Sequence, residues 1–334
     1  MIGVLTAFRD GVRRVNRAPV LLGGVWVMTL LVCLPLALVL RGMIAQHLGD
    51  SLAADTAVTG VNYDWMQEFA EQATGIGVTF KPTIIGFGAV LDNLSAFLDN
   101  TPRPLVIVGV ASAYIALWMF MAGGILDRYA RNRPTRTYGF FAASGVFFVR
   151  FLRLAVMQWI AYAFLFALAH RWLFERLFPR VTREMTVERN AFLVRAGLYL
   201  IFGAMIAAFN VVFDYAKVRA VVEDRRSMIG SLAAAVRFVR RNGAATGLYL
   251  VDFGLFLVSL AVYAVVAPGA GRSGIVMWIA FGIGQLYVLA RLWIKLVFWA
   301  SETSLFQSRL AHAEYVAAPR PRWPESPAAE AIGP

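Results

Sequence analysis

Asp252 interrupts the apolar run 244–267, and Arg291 and Lys295 interrupt the run 273–300. An ion among aliphatic neighbours needs a counter-charge, because a lone buried charge is far more costly than a paired one. At ~1.5 Å rise per residue, Asp252 stands ~13 Å into its run, and Arg291 and Lys295 lie ~16 Å and ~10 Å from Glu302 on the antiparallel run. Matching depth and opposite sign predict that Asp252 pairs with Arg291 or Lys295. Such a cluster can lock two helices together, or it can act as a relay or substrate site; the residues alone leave both roles open.

Other chemistry finds fewer candidates. His47, His170 and His312 are too scattered for a zinc site, and Cys33 stands alone in an apolar run, so no metal or cofactor is expected. Asp92 and Asp99 read as one face of an amphipathic helix. No phosphate-binding loop, dinucleotide fingerprint, nucleophile elbow or HExxH motif occurs, and a non-enzymatic protein is the reading that follows.

The elements that hold these charges are membrane spans. With 59% hydrophobic residues and a mean hydropathy of +0.64 over 334 residues, the chain is too apolar for a water-soluble domain. Six runs approach the ~20 residues that cross a bilayer: 20–40, 105–126, 153–170, 191–213, 244–267 and 273–300. The net charge of +12 comes from arginines flanking these runs, which argues for topology and against nucleic acid. Between the first two spans, 41–104 has an acidic excess with two helical patterns, one through Met66, Phe69, Ala70 and Ala73, the other through Ile84, Phe87, Leu91, Leu94 and Leu98. It is expected to cap the outer ends of the spans or lie in the outer interface, and it offers a surface for a protein partner. The proline-rich tail from 319 is expected to be disordered.

A basic stretch precedes each pair of spans, marked by Arg13, Arg150 and Arg237, and an acid follows each pair: Asp127, Asp214 and Glu302. Arg150 to Arg237 is 87 residues, Asp127 to Asp214 is 87, and Asp214 to Glu302 is 88. The chain therefore reads as three repeats of an interfacial amphipathic helix plus a transmembrane hairpin, over 1–127, 138–214 and 228–302. The segment 41–104 is then an insertion in the first repeat. Each leader arginine and the acid ending a second span are expected to meet at the cytoplasmic rim. Twenty basic residues on the N-terminal side against ten on the other place both termini in the cytoplasm, with the Arg171–Arg189 connector as the dissenting segment.

This pattern, with its leaders and the stretch Phe213-Asp214-Tyr215-Ala216-Lys217 after a span, resembles uncharacterised bacterial polytopic membrane families related in layout to the membrane domain of glycerophosphodiester phosphodiesterase. The resemblance implies repeated units of interfacial helix plus hairpin and an association with glycerophospholipid. It implies no catalytic residues, since the chain has no room for a soluble phosphodiesterase domain. The expected protein is a multi-pass bacterial inner-membrane protein that organises membrane or supports a partner. Arg9, Arg17, Arg240 and Arg241 are its expected contacts with anionic headgroups. The alternative is a transporter or lipid-handling carrier using Asp252, Arg291 and Lys295.

Overall fold

The computed structural model describes residues 3–49, 51–59, 62–81, 86–269 and 274–310. Asp50, Ile84, Arg272, His312 and the tail beyond 310 lie outside the described residues, with the expectations that fell on them. Every regular element described is helical. Six helical stretches are long and apolar enough to cross a membrane: 19–48, 105–131, 137–182, 188–222, 243–266 and 275–310.

The N-terminal α1 (Val4–Asn16) turns its small residues Ala7 and Gly11, with Val15, into the protein and leaves Arg9, Arg13 and Arg17 exposed. Pro19, whose fixed φ suits the first turn, opens α2 (Pro19–Leu48), which carries Pro35 internally. Short helices α3 (Ala53–Thr59), α4 (Tyr63–Gln72) and α5 (Phe87–Leu98) follow. The second helical pattern of the acidic segment becomes α5, and the first becomes α4, whose Asn62 side chain caps the Trp65 amide at 3.0 Å. His47 at the end of α2 accepts a hydrogen bond from Trp65 Nε1 at 3.0 Å and joins Trp65, Phe69 and Phe80 in an aromatic cluster. The acidic segment thus folds onto the end of α2. At its other end, Asp99 accepts hydrogen bonds from Tyr199 and Ser95, and the Tyr199 hydroxyl is the first cause holding the Asp99 carboxyl below its ordinary range.

The second spans overrun their apolar runs. They form α6 (Leu105–Arg131), α9 (Glu188–Val222) and α12 (Ile275–Leu310), which pack on one another. Between them lie α7 (Thr137–Phe164), two π-helical turns over 165–177, α8 (Phe178–Thr182), α10 (Met228–Arg241) and α11 (Gly243–Val266). The basic stretch at Arg150 is no separate interfacial helix: it merges with its span, and helix continues through 182 into the Arg-rich connector. Its aromatics Phe140, Phe147 and Phe151 pack inward, which favours an unbroken helix there over one lying in an interface.

The leaders cover the overrunning ends. α1 packs on α12, the first half of α7 on α6, and α10 on α9. Gly11 approaches so closely that a Cβ there would meet the Ser301 backbone at 2.7 Å, and a Cβ on Gly124 would meet Ser144 Oγ at 2.6 Å. Burial follows this geometry. It concentrates in 122–129 of α6, 211–221 of α9 and 292–306 of α12, while the far halves of the same helices are largely open.

Candidate functional site

The overrunning ends of α9 and α12 carry Asp214 and Glu302, which hydropathy alone places at a solvated rim, and the leaders cover those ends together with Asp252 of α11. Asp214, Asp252 and Glu302 are 5%, 0% and 0% exposed. Asp214 on α9 accepts a hydrogen bond from Lys217 Nζ, one helical turn on, at 2.9 Å, and Lys295 of α12 approaches its other oxygen at 3.9 Å. Lys217 is 4% exposed, so this is an ion pair inside protein. Lys295 is half-open, lies 4.9 Å from the Trp299 ring centroid, and contributes less to Asp214 because solvent or headgroups screen it.

The predicted pairing of Asp252 with Arg291 or Lys295 does not form. Asp252 Oδ2 instead accepts a hydrogen bond from Ser301 Oγ at 2.8 Å. The reason is register. Glu302 was the expected end of the last span, but α12 runs to Leu310, so Asp252, nine residues after Gly243, is level with Ser301, nine before Leu310. Arg291 is left exposed, 5.8 Å from the Tyr287 ring centroid.

Asp214, Asp252, Lys295 and Lys217 all lie within electrostatic reach of Glu302. Among the described residues Glu302 Oε1 and Oε2, Asp252 Oδ1 and Tyr215 Oη have no hydrogen-bond partner. Of the three carboxyl groups, Asp214 takes the close ion pair, with Lys217 at 2.9 Å, and Glu302 forms no ion pair with a described residue. This imbalance separates Glu302 from Asp214. Glu302→Gln keeps volume and removes a buried ionisable group that forms no ion pair with a described residue, so its melting temperature should equal or exceed that of the wild type. A drop as large as that of Asp214→Asn, read by thermal unfolding in the same detergent, would show that Glu302 is paired after all.

The expected rim pairs are likewise replaced. Asp127 is bound by Arg131 on its own helix at 2.8 Å, and Arg150 reaches Asp224 at 2.6 Å. Arg13 and Arg237 are exposed and form no ion pair within the described residues. α1 and α10 present small residues to the helices they cover, α7 packs its aromatics on Gly123 and Gly124 of α6, and the marker arginines Arg13 and Arg237 face away from these contacts. Arg14, one residue from the marker, is the side chain that turns inward. It binds Asp10 at 2.8 Å, the Tyr129 carbonyl at 2.7 Å and Gln307 at 3.0 Å. Sequence reasoning passed over Arg14, Lys217 and Ser301. Lys217 carried a signal in its i,i+3 spacing from Asp214, and Ser301 in the polar run Ser301-Glu302-Thr303-Ser304 that continues the last helix.

Beside Arg14, α1 and the last turns of α12 border an open cleft of about 500 Å3. Arg9, Arg13 and Arg14 stand on one wall, and Ser304, Gln307 and Ser308 on the other. Arg17, Arg240 and Arg241 are exposed at the same end of the molecule. The histidines stay apart: His47 binds Trp65, and His170 Nε2 lies 2.9 Å from the Leu98 carbonyl.

Helices of this length and apolarity, joined as six successive spans, define the class: a multi-pass helical membrane protein. The chain matches no family model, no curated protein and no solved structure.

Proposed function

We propose that this chain is a non-enzymatic protein of the bacterial inner membrane, with both termini cytoplasmic, which grips anionic lipid at its cytoplasmic rim and so organises membrane or supports a partner. One observation carries the reading. Arg9, Arg13, Arg17, Arg237, Arg240 and Arg241 are exposed on α1 and α10 at one end of the bundle and form no ion pair with any described residue. Uncompensated arginines beside apolar spans match an anionic headgroup layer, where each basic residue contributes about 1 kcal/mol. The resemblance to membrane domains associated with glycerophospholipid agrees with this.

The scaffold behind it is three repeats arranged in a ring. Each leader covers the second span of the preceding unit, with α1 closing the ring on α12. Supporting this, Ala7, Ser144 and Ser231 are all at most 1% exposed and are separated by 137 and 87 residues, the same offsets that separate Arg13, Arg150 and Arg237. Repetition of a packing position is stronger support than repetition of charge, because positive-inside topology alone places arginine before spans.

The lipid reading is tested in nanodiscs. Phosphatidylglycerol in place of phosphatidylcholine should raise the melting temperature, and the gain should shrink in high salt and in a variant with all six arginines changed to Gln. Equal melting temperatures in the two lipids would end it. A carrier is the second reading, favoured by the partnerless oxygens of Asp252 and Glu302 inside the bundle. Unaltered lipid exchange between vesicles after Asp252→Asn and Glu302→Gln would remove that support.

A further inference from the structure

The cleft between α1 and α12 differs from the rest of the basic surface, because its walls are already hydrogen-bonded and only part of its lining is free. Arg14 is fixed by Asp10, Gln307 and the Tyr129 carbonyl. Ser304 donates to Asp10 at 2.7 Å, and Gln307 Nε2 donates to the Ala130 carbonyl at 2.8 Å. Asp10, the one acid on the lining, is thereby neutralised by Arg14 and turned toward α12. The lining residues whose side chains form no hydrogen bond or ion pair with a described residue are Thr6, Arg9 and Arg13. They fall at steps of three and four, on one stripe of α1. Two guanidinium forks stand one helical turn apart, ~6 Å along the axis, with a hydroxyl beside them.

We propose that this cleft is a discrete binding site for a phosphate group, held by Arg9 and Arg13 and supported by Thr6. A tetrahedral oxyanion offers several acceptors, and planar guanidinium groups bind such oxygens two at a time. Arg14 and Asp10 set the position of the site by pinning α1 to α12, and the rigid wall restricts the two forks to one side of the anion. The phosphate belongs to an anionic lipid headgroup or to a free phosphate; the chemistry that recognises either is the same. The inference rests on the lipid-binding reading for its biological setting, but it adds a saturable site where that reading requires only a diffuse charged face.

The test uses the full chain in a neutral maltoside detergent, free of added phosphate. Inorganic phosphate is titrated in one arm and dioctanoyl phosphatidylglycerol in the other, each followed by the melting temperature. A saturable rise is expected in at least one arm. Response to phosphate alone identifies a free anion as the ligand, and response to lipid alone identifies a headgroup. Arg9→Gln and Arg13→Gln should each weaken apparent affinity about tenfold, since a hydrogen bond to a charged group is worth about that factor or more. Arg240→Gln with Arg241→Gln, on the other basic helix, should leave it unchanged. The proposal is overturned if neither ligand saturates, or if the response survives in the Arg9→Gln/Arg13→Gln double variant. The two readings fail separately. Nanodisc stabilisation by anionic lipid that is indifferent to Arg9 and Arg13 sinks the site and spares the lipid reading. Saturable phosphate binding without any preference for anionic nanodiscs does the reverse.

Discussion

Replacing Asp214 by Asn should destabilise the purified protein by about 3–5 kcal/mol, the typical cost of removing one partner from a buried ion pair. Asp214 and Lys217 are 5% and 4% exposed, so the remaining ammonium would be left inside packed protein without the carboxylate that hydrogen-bonds it. Lys217 cannot snorkel cheaply, because Met228, Ser231 and Ala235 of α10 are buried where that helix covers the end of α9. The double change Asp214→Asn/Lys217→Met should recover most of the loss, since a buried pair replaced by uncharged groups of similar volume is often neutral or stabilising. Lys295→Met should cost about 1 kcal/mol or less, as its contact is long and partly open. Thermal and denaturant unfolding of the four proteins measure these terms. If Asp214→Asn melts with the wild type, the pair is not what holds α9 in the bundle.

The second large effect is expected at Gly11. A Cβ there would lie 2.7 Å from the N, Cα and Cβ of Ser301, and two of those three atoms are backbone. Helix propensity by itself favours replacement, by about 1 kcal/mol for Gly→Ala in an exposed helix. A destabilising Gly11→Ala, with Gly11→Leu worse by about 1–3 kcal/mol, therefore reports contact with α12 and not the intrinsic preference of α1. Displacing α1 would also strip cover from Asp252 and Glu302 through their neighbour Ser301 and break the Arg14 and Ser304 contacts. Hydrogen exchange across 4–16 and 294–306 should rise together in Gly11→Leu. Exchange confined to α1, with α12 unchanged, would mean that the leader is a peripheral attachment and not part of the core.

Several elements are legible in the sequence alone. The six apolar runs, the helix α1 from its spacing of Ile2, Leu5, Phe8, Val12 and Val15, and the helices α4 and α5 within the acidic segment all follow from period and hydropathy. The helix ends did not follow. Hydropathy stops the second spans near Leu126, Phe213 and Ala300, whereas the helices reach Arg131, Val222 and Leu310. A polar turn continues a helix when a neighbouring helix satisfies and covers it, and hydropathy carries no information about that neighbour. The same error displaced the partner of Asp252 from Arg291 or Lys295 to Ser301.

By itself the sequence determined that this is a membrane protein of six spans, that charge clusters at span ends, and that Asp252 and Lys295 needed explanation. Those conclusions depend on local composition and on the cost of placing ions among aliphatic groups, which are properties of a segment. Only the tertiary structure decided that Asp214 pairs with Lys217, that Glu302 forms no ion pair with a described residue, and that Arg14 turns inward while Arg9 and Arg13 face an open cleft. Each of those outcomes depends on which helix covers which end. Contacts through small residues, on α1 and α10 or on the face of α6 beneath α7, bring backbones close and bury the polar ends, while Arg9, Arg13, Arg237, Arg240 and Arg241 are left facing outward.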